Sequence, residues 1–185
     1  MTTNDKAMPR SWRRSVTATR TSILLTVFLY LAIPVLADNN DYRIEVFGSV
    51  GASEYIVIWG PPARGINLGG GIGVRPFSQE RSWILRGLGG EFEMNVTRGI
   101  SNRIVQSYYL GNLLYHLPLS SAEPYILIGI GGSHEAGLTR QAADVGLGVK
   151  VFTKSRLSLR PEIRIFGAEY LGSFLRTSVG IGYRW

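Results

Sequence analysis

The alternation of apolar and charged residues in the C-terminal part of the chain is the feature that most constrains its fold. In residues 156–166, aliphatic residues or proline occupy every second position, and Arg, Ser or Glu occupy most positions between them. Residues 175–185 repeat this pattern, with Gly, Ser and Arg on the polar side. Successive side chains of a β-strand point to opposite faces of a sheet. Both segments therefore predict a strand with one apolar face and one ionic face.

Segments with this alternation recur along the chain, which predicts an all-β protein. The eight segments are residues 42–51, 65–77, 83–96, 103–117, 123–133, 141–153, 156–166 and 175–185. The alternation leaves undecided which face of segment 123–133 is apolar. Phe47, Leu114 and Phe152 interrupt otherwise polar faces. The 23 glycines, all of which follow residue 37, argue against a helical bundle because Gly is a poor helix former.

The predicted connections between these strands alternate in length. Short connections at 78–82, 118–122 and 154–155 alternate with generally longer ones at 52–64, 97–102, 134–140 and 167–173. Membrane barrels with an even number of strands have short turns at one end and longer loops at the other. The pattern predicts an eight-stranded antiparallel up-and-down barrel, and the loop 52–64 is its expected contact surface.

Residues 1–37 have the composition of a secretory signal peptide. Five Lys or Arg residues and one Asp precede the apolar run 23–36, and Val35-Leu36-Ala37 provides a cleavage site before Asp38. The alternative is a membrane-anchoring helix, but the run of 14 residues is shorter than the ~20 that span a bilayer. We predict a signal peptide at 1–37 and a barrel domain at 38–185. Met1 and Met8 are both candidate start residues.

Two kinds of barrel satisfy this alternation, and aromatic residues discriminate between them. A soluble lipocalin-like barrel would turn its apolar face inward and bind a small apolar ligand, whereas a membrane barrel would turn that face towards lipid. Aromatic rings prefer the headgroup level of a membrane and form girdles around such barrels. Six aromatic residues are predicted on the apolar face at one end of the meander, which favours the membrane barrel. They are Tyr42, Trp83, Tyr115, Tyr125, Tyr183 and Trp185.

Charged residues on the polar faces form the expected functional constellation. An ionised Arg or Lys facing lipid would cost ~2–4 kcal/mol at the bilayer midplane, so acidic and basic groups should pair inside the barrel. The predicted lumen network contains Glu45, Glu91, Glu93, Lys150, Arg160, Glu162, Arg164 and Arg176, with Arg43 and Arg75 as further basic members. A narrow eight-stranded lumen is just wide enough to be filled by side chains. The network should therefore plug the lumen, so that the barrel is not a wide pore.

The C-terminal segment 177–185, TSVGIGYRW, ends in an aromatic residue preceded by apolar residues at alternate positions. With the segments at 112–116, 124–125 and 160–164, it resembles the small OmpA/OmpX-like outer membrane β-barrel proteins of double-membraned bacteria. The resemblance extends over residues 41–185. It implies an outer membrane location, contact with outer membrane lipid, and recognition of the C-terminus by the barrel assembly machinery. Trp185 departs from the terminal Phe that is usual in these proteins.

Few residues are available for catalysis or cofactor binding. The chain has no Cys and only two histidines, His116, predicted on the lumen face near a turn, and His134, predicted in a loop. Ser133, His134 and Glu135 are the residue types of a hydrolase, but side chains adjacent in the chain point apart. We expect no catalytic residues, no metal and no cofactor. A lipid-modifying outer membrane enzyme remains the second alternative, after the soluble binder.

The distribution of charge excludes one class of partner. Without residues 1–37, the formal net charge falls from +7 to +3, and the remaining basic residues are interleaved with acidic ones. A nucleic-acid-binding protein would instead show a basic stripe. We therefore expect no nucleic acid partner and a monomeric barrel, and the sequence does not define a partner for its surface loops.

Overall fold

The computed structural model of the chain describes residues 43–56, 64–100, 105–117, 122–153, 155–168 and 172–185. Eight antiparallel strands in chain order form a closed up-and-down barrel, as the alternation predicted. One short helix, α1 (Trp83–Gly87), lies between the second and third strands. The strands are β1 (Ile44–Ile56), β2 (Arg64–Val74), β3 (Leu88–Gly99), β4 (Val105–His116), β5 (Ala122–Glu135), β6 (Leu138–Phe152), β7 (Leu157–Ala168) and β8 (Gly172–Arg184).

The barrel closes because β1 pairs with both β2 and β8. Val50, for example, lies opposite Leu68 of β2 and opposite Val179 of β8. Closure leaves no strand edge without a hydrogen-bonding partner. We call the end that carries the start of β1 and the end of β8 the terminal end, and the opposite end the distal end.

The apolar face of the sheet lies on the outside of the barrel. Ile130 on the outer face is 75% exposed, whereas Arg164 on the inner face is 1% exposed. The same alternation of exposed and buried residues runs along the other strands. This arrangement is that of a transmembrane barrel, as predicted, and the reverse of the lipocalin-like alternative, which would turn its apolar face inward.

The structure shows which face of β5 is apolar, which the alternation left undecided. Ile126, Ile128 and Ile130 are exposed on the outer surface, and Glu123, Tyr125 and Leu127 are buried in the lumen. Hydrogen bonding to β4 places Ile126 opposite Tyr115 and Ile128 opposite Leu113. The three isoleucines therefore belong to the lipid-facing belt.

Residues 83–87 form α1 and not the beginning of a strand as predicted. Trp83, Ile84 and Leu85 are consecutive large apolar residues, so they interrupt the period of two. The backbone N–H of Arg86 donates to the carbonyl of Ser82 at 3.0 Å, which closes a helical turn. Among the residues that the structure describes, no helix is long and apolar enough to cross a membrane.

The predicted difference in length between the two ends is also wrong. At the distal end, β5 and β6 continue to Glu135 and Leu138 and are joined by a turn at Ala136 and Gly137. Both turn residues have positive φ, 50° and 83°, as in the tight turns that fit twisted hairpins. The segment 134–140 is therefore not a long loop, whereas the terminal-end connection 75–87 is long enough to contain α1.

Candidate functional site

Charged side chains of both signs point into the lumen in equal number among the described residues. Six acidic and six basic side chains among the described residues are buried inside the barrel. They are Glu45, Glu91, Glu93, Glu123, Asp144 and Glu162, and Arg75, Lys150, Arg160, Arg164, Arg176 and Arg184. Buried charges are stable only when they are paired and hydrogen-bonded. The equal number of the two signs allows each charge to be compensated within the lumen.

The first cluster of ion pairs lies at the terminal end. Arg75 Nη1 donates to both carboxylate oxygens of Glu123, at 2.7 and 2.9 Å, and Arg75 Nη2 donates to the carbonyl of Arg86 at 2.9 Å. The ring of His116 is buried beside the same carboxylate, with Nδ1 3.6 Å from Oε2. Glu123 was not among the predicted members of the network because the alternation left the facing of β5 undecided. His116 lies in the lumen near a turn, where it was predicted.

The second cluster surrounds Glu45 of β1. Lys150 and Ser158 donate hydrogen bonds to its carboxylate, and Arg160 Nη1 lies 3.8 Å from Oε2. The guanidinium carbon of Arg160 is also 3.8 Å from the centre of the Phe47 ring. This stacking accounts for Phe47 on the polar face, because an aromatic ring face attracts a cation.

The third cluster is centred on Arg164 of β7. Its guanidinium nitrogens lie 2.7 Å from Glu93, 3.0 Å from Asp144 and 3.2 Å from Glu91, and they also contact Glu162. Among these carboxylates, only Asp144 was missing from the predicted network. Asp144 lies among the polar-face residues of β6, and this position could have placed it in the predicted network.

Arg160 and Arg176 extend this cluster. Arg160 Nη2 donates to Glu91 at 2.7 Å, and Arg176 contacts Glu93 at 2.8 Å and Glu162 at 3.2 Å.

Several of these ion pairs cross the lumen. Glu91 and Glu93 belong to β3, whose hydrogen-bonded neighbours are β2 and β4. Their partners Arg160 and Arg164 belong to β7, and Arg176 belongs to β8. The network therefore joins opposite walls of the barrel.

A layer of aromatic and aliphatic side chains lies beyond the network, towards the distal end. Phe166 and Phe174 stack with their ring centres 4.8 Å apart, and the guanidinium carbon of Arg176 lies 4.7 Å from the Phe166 ring centre. Tyr108 contacts both phenylalanines, and its hydroxyl donates to Gln106 at 2.6 Å. This layer was not predicted from the sequence. The signal was that Phe166 and Phe174 occupy the polar-side positions of their strands.

The predicted aromatic girdle is only partly on the outer surface. Trp83, Tyr183 and Trp185 are exposed, Tyr115 is half-buried, and Tyr42 lies outside the described residues. Tyr125 was predicted incorrectly, since it is 2% exposed and its hydroxyl donates to Glu162 at 2.7 Å. It points inward because it lies on the opposite face from the outward isoleucines of β5.

Arg43 is the one predicted basic member that lies outside the lumen. It is exposed at the terminal end, where its Nη2 donates to Gln79 at 2.8 Å. It precedes β1 and its backbone pairs with Arg75 and Trp185 at the rim, so its side chain lies at the end of the barrel and is exposed.

Among the described residues, neither histidine is hydrogen-bonded to a serine for which it could act as the base. His134 is exposed on β5 and its Nδ1 lies 3.0 Å from Thr139 Oγ1, whereas Ser133 is buried on the opposite face. Across those same residues, no group of three or more His, Asp or Glu side chains is placed to hold a metal ion.

Comparison with known proteins identifies the fold. No protein-family model and no curated protein sequence matches the chain. The crystal structure of Neisserial surface protein A has 13% identity and a TM-score of 0.61, covering 77% of this chain and 97% of that chain. The N-terminal β-barrel domain of Pseudomonas aeruginosa OprF has 13% identity and a TM-score of 0.53, covering 78% and 98%. The outer membrane enzyme PagL has 15% identity and a TM-score of 0.50, covering 75% and 98%.

These likenesses show a shared architecture. The chain has the OmpA/OmpX-like fold, a small closed eight-stranded barrel with an apolar outer surface. One of the similar structures is of a surface protein and another is of an enzyme, so the fold by itself does not define an activity.

Proposed function

We propose that this protein is a monomeric outer membrane barrel with a closed lumen and a structural or surface-interaction role. Its even strand number puts the start of β1 and the end of β8 at one end, which in this proposal faces the periplasm. The distal end then faces the cell exterior. The signal-like segment 1–37 and the fold shared with outer membrane proteins support this location.

The ion pairs between β3 and β7 carry the proposal of a closed lumen. Arg160 contacts Glu91 at 2.7 Å and Arg164 contacts Glu93 at 2.7 Å, each across the barrel. All four side chains are buried. An ion that crosses the lumen would have to separate these pairs, and separating a buried pair is strongly unfavourable.

Electrical recordings test whether the lumen is closed. The purified barrel, inserted into a planar phospholipid bilayer, should give no large and stable single-channel steps. Arg160→Leu and Glu162→Leu variants should unfold at a lower temperature and still open no channel, because the leucine and the remaining pairs fill the space. Large, reproducible steps from the wild type would reject the closed lumen.

Labelling of intact cells tests the orientation. The chain contains no Cys, so Ala136→Cys would place a single thiol in the exposed turn between β5 and β6. A membrane-impermeant maleimide should label this variant on intact cells. A Gln79→Cys variant at the terminal end should be labelled only after the outer membrane is opened. The reverse result would reject the proposed orientation.

Mass spectrometry of the exported protein tests the leader. The mature chain should begin at Asp38 if Val35-Leu36-Ala37 directs cleavage. A mature chain that retains residues 23–36 would support the membrane-anchoring alternative.

The proposed role is non-enzymatic. Ser133 and His134 lie on opposite faces of β5, and the imidazole of His116 is enclosed between the Glu123 carboxylate and the Tyr125 ring. Because PagL, which shares the fold, is an outer membrane enzyme, the test compares membrane lipids with and without expression. A modified lipid that disappears in His116→Ala or His134→Ala would overturn this proposal.

A further inference from the structure

The connection 75–87 exposes large apolar side chains beyond the wall of the barrel. Phe77 is 41% exposed, and the consecutive residues Trp83, Ile84 and Leu85 of α1 are 61%, 52% and 40% exposed. Gly87 is the buried residue of the helix. A short helix that leaves its apolar residues exposed gains little from packing against the protein, so its surroundings must supply the stabilisation.

Polar contacts hold this connection in place while its apolar side chains face outward. The Arg75 guanidinium, itself paired with Glu123, donates to the Arg86 carbonyl at 2.9 Å. Arg43, which precedes β1, donates to Gln79 at 2.8 Å. These contacts fix the connection at both of its halves, so the exposure of its apolar residues is part of the fold.

The apolar surface of α1 is continuous with the lipid-facing belt. A Cβ added to Gly87 would lie 2.9 Å from the Tyr115 ring on the outer side of β4, so the end of the helix packs directly against that ring. Val74, which ends β2 directly before the connection, and Leu117, which follows β4 two residues after Tyr115, are also exposed. The helix therefore extends the outer surface at its terminal-end border.

The charges of the connection complement an anionic membrane surface. Arg81 is exposed and Arg86 is half-buried, and Glu80 is the only acidic residue among 75–87. Exposed apolar residues next to Arg are typical of segments that lie in the plane of an anionic membrane interface.

We propose that α1 and Phe77 form an in-plane docking surface for anionic phospholipid in the leaflet at the terminal end. The apolar side chains enter the boundary between headgroups and acyl chains, and Arg81 and Arg86 contact lipid phosphates. The docking sets the depth of the barrel in the membrane. This inference rests on the proposed membrane barrel and adds a specific lipid contact to it.

Spin labels attached to single cysteines test the docking. The mature chain, refolded in vesicles of phosphatidylcholine with phosphatidylglycerol, carries the label at Ile84→Cys. Glu80→Cys is the polar control within the same connection, and Ile128→Cys is the control within the lipid-facing belt. Each variant must first show the altered electrophoretic migration of a folded barrel without heating.

The readout is the ratio of relaxation by lipid-soluble oxygen to relaxation by a water-soluble nickel complex. The ratio at Ile84 should be several-fold above that at Glu80 and should not exceed that at Ile128. A ratio equal to that at Glu80 would overturn the docking. If the label at Ile128 is also accessible to the water-soluble nickel complex, the membrane barrel itself is rejected. Spectral broadening at Ile84 that grows with protein density would show a second copy on this face and would also overturn the docking.

Lipid composition tests the anionic part of the proposal. Phosphatidylglycerol should move the Ile84 label deeper than phosphatidylcholine alone does. Arg81→Gln combined with Arg86→Gln should abolish this shift, since the second change leaves the Arg86 carbonyl available to Arg75. The same depth in both lipids would overturn the proposed contact with anionic phospholipid.

Discussion

Replacing Arg164 by Met should destabilise the barrel more than any change of a surface charge. The guanidinium of Arg164 is buried and contacts four carboxylates, among them Glu93 at 2.7 Å and Asp144 at 3.0 Å. Methionine keeps much of the volume of the side chain and removes its charge. The neighbouring carboxylates then lose a cation while they remain in the lumen, and breaking a buried pair in this way costs about 3 to 5 kcal/mol. A loss of this size lowers the folding equilibrium constant about 10²- to 10⁴-fold.

A second change separates lost pairing from lost packing. Asp144 is one of the carboxylates that lose their cation in Arg164→Met, and Asp144→Asn removes its charge. The double variant should therefore be destabilised by less than the sum of the two single changes, with a coupling of about 0.5 to 3 kcal/mol. Glu80→Gln, an exposed change outside the lumen, is the control and should alter stability by less than about 0.5 kcal/mol.

Urea unfolding of the barrel in phospholipid vesicles measures these differences. The folded fraction follows from tryptophan fluorescence and from electrophoresis without heating, and the two measurements should agree. Stabilisation by this ion cluster would be contradicted if Arg164→Met is as stable as Glu80→Gln, or if the effects of Arg164→Met and Asp144→Asn simply add.

Three further substitutions test individual contacts by the same assay. Gly148→Ala places a Cβ 2.5 Å from the Tyr125 ring and should lower the free energy of unfolding by about 1 to 3 kcal/mol. Gly111→Ala, whose Cβ would have its nearest atom at 3.9 Å, should not lower it. Equal effects of the two changes would reject the packing of the Tyr125 ring. Gly137→Ala forces a side chain into φ 83° and should cost about 1 to 2 kcal/mol, and an unchanged stability would reject that turn geometry. Ile128→Lys on the outer face should cost about 2 to 4 kcal/mol in vesicles, and no cost would argue against contact with acyl chains.

Alternation was sufficient to predict the strands and most of the lumen network because a closed sheet has only two faces. Once Ile163 faces outward, Glu162 and Arg164 must face inward, whatever their partners. The pairing of charges across the lumen could not be predicted in this way. It depends on which strands face each other and at what height, and those properties are set by the register of all eight strands.

Tyr125 shows why the aromatic girdle was harder to predict. A tyrosine at the end of a strand is equally compatible with the headgroup level and with a lumen that offers an acceptor for its hydroxyl. Here Glu162 is that acceptor, and Gly148 leaves room for the ring. The facing of a tyrosine depends on these neighbours, which belong to β6 and β7 and are distant in sequence.

The two ends of the barrel were predicted less well than its walls. Helix α1 has an apolar content similar to that of a strand, and only the adjacency of Trp83, Ile84 and Leu85 indicates that the alternation has stopped. At the distal end, Gly137 indicates a turn, but the polar residues on either side of it suggested a longer loop. In both places the local backbone conformation was decided by a few residues, whereas a strand is decided by a long repeated pattern.

A scan of spin labels along β5 shows whether the apolar face of the barrel meets lipid, since this strand has isoleucines on one face and Glu123, Tyr125 and Leu127 on the other. Single cysteines at residues 126, 127, 128 and 130, in the barrel refolded in phospholipid vesicles, report access to oxygen dissolved in the acyl chains. Gly129 is left out because a Cβ there would clash with Asn112 Oδ1. We predict maxima at Ile126, Ile128 and Ile130 and a minimum at Leu127. A maximum at Leu127, or equal access at all four positions, would contradict a barrel whose apolar face meets lipid and whose charges lie within.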